Sequence, residues 1–181
     1  MNFDCFQPLF GERAIPIKLA TLTDRDPVEL PYPALHQFPA PSHAAAASLA
    51  TDEVFRRTFI GAKTLEYDLA LQGAENRNLM LEALAELHPM IATNLRQAIA
   101  MQPDNTLASI WLFQGMFERP GGARNVSKGA FAQELADKIR QHPARFTAPA
   151  YVRDALDWIR IPAPPAPPIP RVPEPIAAQA A

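Results

Sequence analysis

The sequence predicts an all-α fold: a bundle of about five helices at residues 42–160, between an extended proline-rich arm (residues 1–41) and a Pro/Ala-rich polyproline tail (residues 161–181). Three observations favour it. Apolar residues recur every three or four positions through the middle of the chain, and no alternating strand pattern competes there. Capping and terminating residues divide that region into segments of helical length. Prolines crowd both ends, where they remove backbone donors and disfavour helix.

The first predicted helix covers about residues 51–72, with Thr51 as its candidate N-cap and Gly73 as its terminator. Its buried face would comprise Phe55, Phe59, Ala62, Leu65 and Leu69. A second helical stretch covers about residues 76–101. Pro89 interrupts this stretch, so the helix either kinks there or ends, and a new helix then begins with proline at its first position.

Three further helices are predicted at about residues 106–118, 128–141 and 148–160. The first of these is apolar on nearly every side, so we expect it to lie at the centre of the bundle or beneath a partner. Ser127 is the candidate N-cap of the second, and Pro149 falls in the first turn of the third. Residues with apolar side chains in the helix at 106–118 are Leu107, Ile110, Trp111, Leu112, Phe113, Met116 and Phe117.

The arm at residues 1–41 combines seven prolines with many apolar side chains. This composition is too apolar for a typical disordered tail. We therefore expect the arm to lie against the helical domain or a neighbouring molecule. Within it, "AIPIKLATL" at residues 14–22 predicts either a short edge strand or an extended segment.

Charge and cysteine content exclude several classes of protein. The chain carries 17 basic and 19 acidic residues, a net charge of −2, so it shows no basic face for nucleic acid. Cys5 is the only cysteine, which excludes a disulfide within the chain. The most apolar run, Leu107–Phe113, is far shorter than the ~20 residues that span a bilayer. We expect a soluble, cytoplasmic protein without direct membrane insertion.

No cofactor or metal motif is evident. The four histidines, at positions 36, 43, 88 and 142, lack a ligand spacing. The segment Gly121–Gly129 resembles a phosphate loop, but Ser127 replaces the second glycine and Gly129 follows Lys128. Arg124, Ser127 and Lys128 nevertheless lie at a predicted helix N-terminus, where free N–H groups attract anions. These three residues form a candidate anion site, and a simple capped loop is the alternative.

The segment Arg96–Phe117 resembles the junction between two tetratricopeptide repeats. The matching residues are Ala98, Pro103, Asp104, Asn105, Ala108 and Leu112. Phe113 stands where the family prefers glycine, Ser109 stands where it prefers tryptophan, and no second copy recurs at 34 residues. The chain is therefore not assigned to that family. The resemblance would imply a helical scaffold that binds peptides or subunits.

These patterns favour a non-enzymatic assembly or scaffold subunit of a larger protein complex. The alternatives are a chaperone or adaptor for a secreted or assembling protein and, less favoured, a small helical enzyme. Polyproline segments dock into aromatic-lined grooves, and the tail has repeated Pro-x-x-Pro spacing. Its partners would be proteins, including other copies of the chain. Composition favours a bacterial or phage source. The predicted partner-binding residues are Trp111, Phe113, Phe117, Pro164, Pro165, Pro167, Pro168, Pro170 and Arg171.

Overall fold

The computed structural model describes residues 9–11, 15–24, 54–118 and 126–163, and this part of the chain is mostly helical. It contains a two-stranded parallel sheet, six α-helices and one short 3₁₀ turn. The elements are β1 Leu19–Thr23, β2 Arg56–Ile60, α1 Leu65–Leu71, α2 Ala74–Leu87, α3 Pro89–Ala100, α4 Asn105–Phe117, α5 Lys128–Gln141, the 3₁₀ turn Pro143–Arg145 and α6 Ala150–Arg160. The prediction of a mostly helical domain is confirmed, and a short two-stranded sheet accompanies the helices in the described residues.

The predicted helix at residues 51–72 is the main error. Residues Arg56–Ile60 of this range form strand β2, which pairs with β1 in the register Leu22 opposite Phe59. β-branched and aromatic residues in "RRTFI" favour an extended conformation, and Gly61 would cost a helix interior about 1 kcal/mol. Helix α1 begins only after Thr64, whose hydroxyl accepts a hydrogen bond from the Tyr67 amide. The proposed cap at Thr51 lies outside the described residues.

The other helix boundaries agree closely with the sequence signals. Pro89 occupies the first position of a new helix, so α2 and α3 are separate elements. Helix α5 spans the predicted residues, and the Ser127 hydroxyl accepts a hydrogen bond from the Ala130 amide. Gly73 lies between α1 and α2 and has a φ of 133°, a value that residues other than glycine rarely adopt. Helices α4 and α6 begin within two residues of the predicted positions.

The main core lies where α2 packs on α3 and α5, and α4 packs on α1 and α3. A row of aromatic rings crosses it from α1 through α4 to α5. Ring centroids are 5.9 Å apart for Tyr67 and Phe113, 5.4 Å for Phe113 and Phe117, and 5.7 Å for Phe117 and Phe131. Such tilted and edge-on contacts add to the stabilisation from burial alone. The expectation that the most apolar helix is central therefore holds for one side of α4.

Buried polar side chains satisfy the carbonyl groups at the end of α1. Arg77 of α2 donates to the Ala70 carbonyl and to Asn105 Oδ1, at 3.1 and 2.5 Å. The Ser109 hydroxyl donates to the Ala70 carbonyl, and the Asn105 amide donates to the Leu71 carbonyl. A helix end that is buried needs such partners. Burial lowers the pKa of Arg77, because water no longer solvates the guanidinium.

A second, smaller cluster joins the sheet to α6. Phe59, Ala155 and Trp158 form its buried part, with the rings of Phe59 and Trp158 6.0 Å apart. The Lys18 ammonium lies 4.6 Å from the Trp158 ring and donates to the Trp158 carbonyl at 3.1 Å. These contacts place the end of α6 beside the start of β1. Helix α6 therefore packs on the sheet, in a cluster that is separate from the main core.

The predicted arm and tail fall largely outside the described residues. Within the arm, Leu19–Thr23 is a strand, which confirms one of the two interpretations of "AIPIKLATL". Residues 1–8, 12–14, 25–53, 119–125 and 164–181 lie outside the description.

Candidate functional site

A groove with a volume of about 820 Å³ lies where β1 ends, between helices α1 and α5 on one side and α6 on the other. We call it the apolar groove. Its lining includes Leu22, Leu65, Phe131, Leu135, Tyr151 and Leu156. The groove follows from the fold, because α5 belongs to the main core and α6 to the sheet cluster. Its volume is in the range of sites that bind small molecules or peptide segments.

The groove exposes leucine side chains that the fold does not bury. Leu22 is 45% exposed, Leu65 is 44% exposed and Leu156 is 49% exposed. They come from three elements far apart in sequence and meet in one depression. Single exposed leucines are ordinary, but a contiguous apolar depression marks a binding surface.

The charged residues that line the groove are both acidic, within the described part of the chain. Asp24 follows β1, and Glu66 lies in the first turn of α1. Lys128 Nζ lies 3.3 Å from Glu66 Oε2 and neutralises part of that charge. The charged side chains of the lining are thus two carboxylates, one of which has a basic neighbour in Lys128.

Tyr151 supplies a hydrogen-bond donor in the groove. Burial raises the pKa of Tyr151, and the carboxylates of Asp68, Asp24 and Glu66 raise it further. The phenol therefore stays protonated across the physiological range. Tyr151 combines an aromatic face with a polar group, as residues in peptide-binding grooves commonly do.

One wall of the groove is held by Asn76. This side chain is buried at the start of α2, and its amide donates to the Leu69 and Thr147 carbonyls at 2.9 and 2.8 Å. Its Oδ1 accepts the Thr147 amide at 2.9 Å. These bonds fix the segment from Phe146 to Pro149, three of whose residues line the groove.

Arg145 holds the same wall from the other side of the segment. It donates to Glu82 at 2.8 and 3.2 Å and to Glu75 at 2.9 Å. The hydrogen bond from Arg145 is the main cause that lowers the pKa of Glu82. This bidentate pair joins the 3₁₀ turn to α2, a geometry that arginine and carboxylate favour.

Gly61 allows a close approach behind the groove. A Cβ at this position would overlap with Asp68 Oδ2 and would lie 3.2 Å from the Tyr151 ring. Asp68 Oδ2 also accepts the Ala62 amide at 2.8 Å. A larger residue at position 61 would displace one of these groups, so the strand–helix connection requires glycine.

The predicted partner-binding residues on α4 lie in different environments. Phe113 and Phe117 are buried in the main core, where Tyr67 and Phe131 contact them. Trp111 is 48% exposed and lines a shallow cleft of about 530 Å³ against Leu95 of α3. The structure thus separates the three residues, and of these only Trp111 presents a large accessible surface. Its role in binding stays a prediction.

The remaining predicted site residues are only partly described. Ser127 caps α5, and Lys128 pairs with Glu66 at the groove. Arg124 lies outside the described residues, as do Pro164, Pro165, Pro167, Pro168, Pro170 and Arg171. The anion site at Arg124, Ser127 and Lys128 stays a prediction, although Lys128 already has an acidic neighbour.

Sequence reasoning missed the groove itself. Phe131 and Leu135 of α5 are buried in the main core, yet both also line the groove, together with the partly buried Ile139. The signal for a binding surface was weak, since Leu22, Leu65 and Leu156 are scattered through the chain. Only the packing of α6 on the sheet brings them together.

The described residues include no group of three or more histidine, cysteine, aspartate or glutamate side chains that could hold a metal ion. None of the helices in these ranges is long and apolar enough to cross a membrane. His88 and His142 are the C-cap residues of α2 and α5.

Comparison with known proteins returned no match: no family profile, curated protein or solved structure is similar to the chain. The functional argument therefore depends on the groove and its chemistry.

Proposed function

We propose that the chain is a non-catalytic assembly subunit of a larger protein complex, and that its apolar groove binds an extended, proline-rich segment of a partner protein that carries a basic residue. The observation that supports this proposal is the groove's composition. It combines exposed leucines and aromatic rings with an acidic rim, and no basic residue lines it among the described positions.

The charges of the lining determine which charge on the ligand is favoured. Asp24 and Glu66 are the charged residues of the lining, and Lys128 pairs with Glu66. A ligand with one arginine or lysine near this end gains electrostatic attraction, whereas an acidic ligand is repelled. Because the rim is open to solvent, we expect this contribution to weaken as salt is added.

Ring chemistry favours a polyproline segment. Phe131, Phe146, Tyr151 and Pro149 all line the groove. A polyproline helix makes no internal hydrogen bonds, so its carbonyl groups accept donors from the groove while its rings pack on aromatic faces. The Tyr151 phenol is such a donor. Because the ligand is already extended before it binds, little conformational entropy is lost.

The test is a binding titration of the full chain with a labelled synthetic peptide that has Pro-x-x-Pro spacing and one arginine, followed by fluorescence anisotropy. We expect saturable binding that weakens at least tenfold in Leu156→Glu. Ile159→Glu is the matched control, since Ile159 lies on the same helix, is 44% exposed and does not line the groove. No saturable binding, or equal loss in both variants, would refute the proposal.

A further inference from the structure

We propose that helices α3 and α4 together bind a second copy of this chain in a two-fold symmetric dimer, in which Trp111 of each copy enters the cleft of the other. We call this surface the α3–α4 face, and its central residues are Asn94, Leu95, Ala98, Trp111, Gln114 and Gly115. Among the described residues, none lines both this cleft and the apolar groove. The inference is therefore separate from the proposed function and gives the chain a second protein-binding surface.

Helices α3 and α4 carry almost no charge, although part of each faces solvent. Across the 12 residues of α3 and the 13 residues of α4, Arg96 is the only charged side chain, and it does not line the cleft. Helix α5 differs, because its charged residues are Lys128, Glu134, Asp137, Lys138 and Arg140. Depletion of charged residues distinguishes the centre of a protein interface from the rest of a protein surface.

Trp111 and Leu107 leave apolar surface uncovered on the outer side of α4. Trp111 is 48% exposed, and Leu107, one turn earlier on the same side, is 46% exposed. Helix α3 adds Leu95, which is only partly buried beside the main core, and Ala92 is the one buried residue of α3. Tryptophan is enriched among the residues that contribute most to binding at interfaces. Trp111 is therefore the anchor of the α3–α4 face.

The cleft beside Trp111 can take the same side chain from another molecule. Its volume is about 530 Å³, more than one indole side chain fills, and the small residues Ala98 and Gly115 line it. A Cβ at Gly115 would overlap with the Leu95 side chain, so glycine lets α3 and α4 approach closely here. A two-fold interface needs a protrusion and a recess in the same patch. The α3–α4 face has both.

The polar groups of the cleft suit a second copy better than a charged partner. Asn94 and Gln114 are exposed amides, and each amide is both a donor and an acceptor. Near a two-fold axis a side chain meets its own counterpart, and an amide can pair with an amide, whereas like charges repel. Glu118 at the end of the cleft pairs with Lys63 at 3.4 Å. No other side chain of the described lining is charged, so little repulsion opposes a symmetric partner.

Sedimentation velocity of the full chain, over about 1 µM to 1 mM, covers weak and moderate affinities. We expect a reversible monomer–dimer equilibrium whose Kd rises at least tenfold in Trp111→Ala. Leu156→Glu is the control, because Leu156 lies in the apolar groove, and it should leave the Kd unchanged. A chain that stays monomeric throughout, or equal weakening in the two variants, would overturn the inference.

A charge exchange at Gln114 tests the symmetry without removing an apolar side chain. Gln114→Glu and Gln114→Lys each place like charges near the axis, so each protein alone should dimerise at least threefold more weakly than the wild type. An equal mixture of the two should form a heterodimer that is stronger than either homodimer. A mixture that associates no better than its components would contradict the two-fold arrangement.

Crosslinking shows whether the two copies meet at this face. Cys5→Ser removes the native thiol, and Gln114→Cys or Gln133→Cys then supplies a single thiol for a short bifunctional reagent. Gln133 is the matched control, since it is exposed on α5 and lines neither the cleft nor the apolar groove. We expect covalent dimers from position 114 at several times the yield from position 133. Equal yields would overturn the inference. Peptide binding by the groove should be unchanged in Trp111→Ala, so failure of the dimer and failure of the proposed function are distinguishable.

Discussion

Replacing Asn76 by alanine should both destabilise the protein and loosen the wall of the apolar groove. Asn76 makes three hydrogen bonds, to Leu69 and to both backbone groups of Thr147. The Leu69 carbonyl keeps a second donor, the Gln72 amide at 3.2 Å. Thr147 loses both partners that Asn76 supplies. The segment that carries Phe146, Ala148 and Pro149 then has less to hold it against α2.

The magnitude follows from those bonds. Three hydrogen bonds at about 1 kcal/mol each amount to about 3 kcal/mol. Alanine has a higher helix propensity than asparagine, and this difference stabilises the variant by about 0.6 kcal/mol. The net loss in the free energy of unfolding is therefore about 2.5 kcal/mol. This is a large share of the roughly 5–15 kcal/mol that stabilises a typical domain.

Asn78→Ala is the matched control, because Asn78 lies two residues away on the same helix and is exposed. It should gain about 0.6 kcal/mol from propensity alone. Urea unfolding followed by circular dichroism at 222 nm measures both variants. We also expect Asn76→Ala to weaken peptide binding, and Asn78→Ala to leave it unchanged. Stabilities of the two variants within about 0.5 kcal/mol of each other would refute the reasoning.

Three further predictions concern local packing and ionisation. Gly61→Ala should destabilise the fold by about 2 kcal/mol, because the added Cβ meets Asp68 and Tyr151. Gly129→Ala should stabilise it by up to about 1 kcal/mol, because position 129 in α5 faces open space. Thermal unfolding measures both variants, and equal changes in stability would contradict the account. Arg145 lowers the pKa of Glu82 from 4.5, so this pair stabilises the fold above pH 4.5 and its contribution is lost as pH falls through the lowered pKa. Arg145→Gln should therefore make stability less dependent on acidic pH. Arg140→Gln is the control, because Arg140 makes only an exposed contact with Asp137. Identical stability–pH profiles of the two variants would show that the Arg145–Glu82 pair does not cause the acid dependence. Burial raises the pKa of Tyr67 from 10.0 to about 12, so stability should be complete below pH 10 and decline as pH rises towards 12. Tyr67→Phe should remove that part of the decline in alkaline urea titrations, and an unchanged slope would show that Tyr67 does not cause it.

Local signals were enough to place most helices. Ser127 was the predicted N-cap of α5, and a new helix that begins at Pro89 was one of the two interpretations of that proline. Both signals are local, because capping and proline geometry act within one turn. Asp104 accepts the Leu107 amide at the start of α4, which begins one residue before its predicted position. These features depend on neighbours in sequence and not on the rest of the fold.

Strand β2 could not be recognised in the same way. Phe55, Phe59 and Ala62 have helical spacing by chance, and the pairing partner of β2 lies more than 30 residues earlier, at Leu19–Thr23. Parallel pairing is a long-range interaction that a local pattern does not report. Gly61 was the local warning, since glycine disfavours a helix interior and is required here for close packing.

The candidate site was harder still to predict. Hydrophobicity alone grouped Trp111 with Phe113 and Phe117, yet neighbours on one helix can face opposite environments. Phe113 is 2% exposed because its side of α4 meets α1, whereas Trp111 faces outward. The apolar groove depends on α6 packing on the sheet and not on α5, which no helical pattern encodes.

Site-specific photocrosslinking in the native cell tests the central claim that the apolar groove is a protein-binding site. A photoreactive phenylalanine replaces Leu156 in one strain and Ile159 in another, and mass spectrometry identifies the crosslinked peptide. The account predicts a discrete adduct at position 156 whose crosslinked segment belongs to a partner protein and contains prolines and a basic residue. The absence of a protein adduct at 156, or the same adducts at 156 and 159, would contradict it.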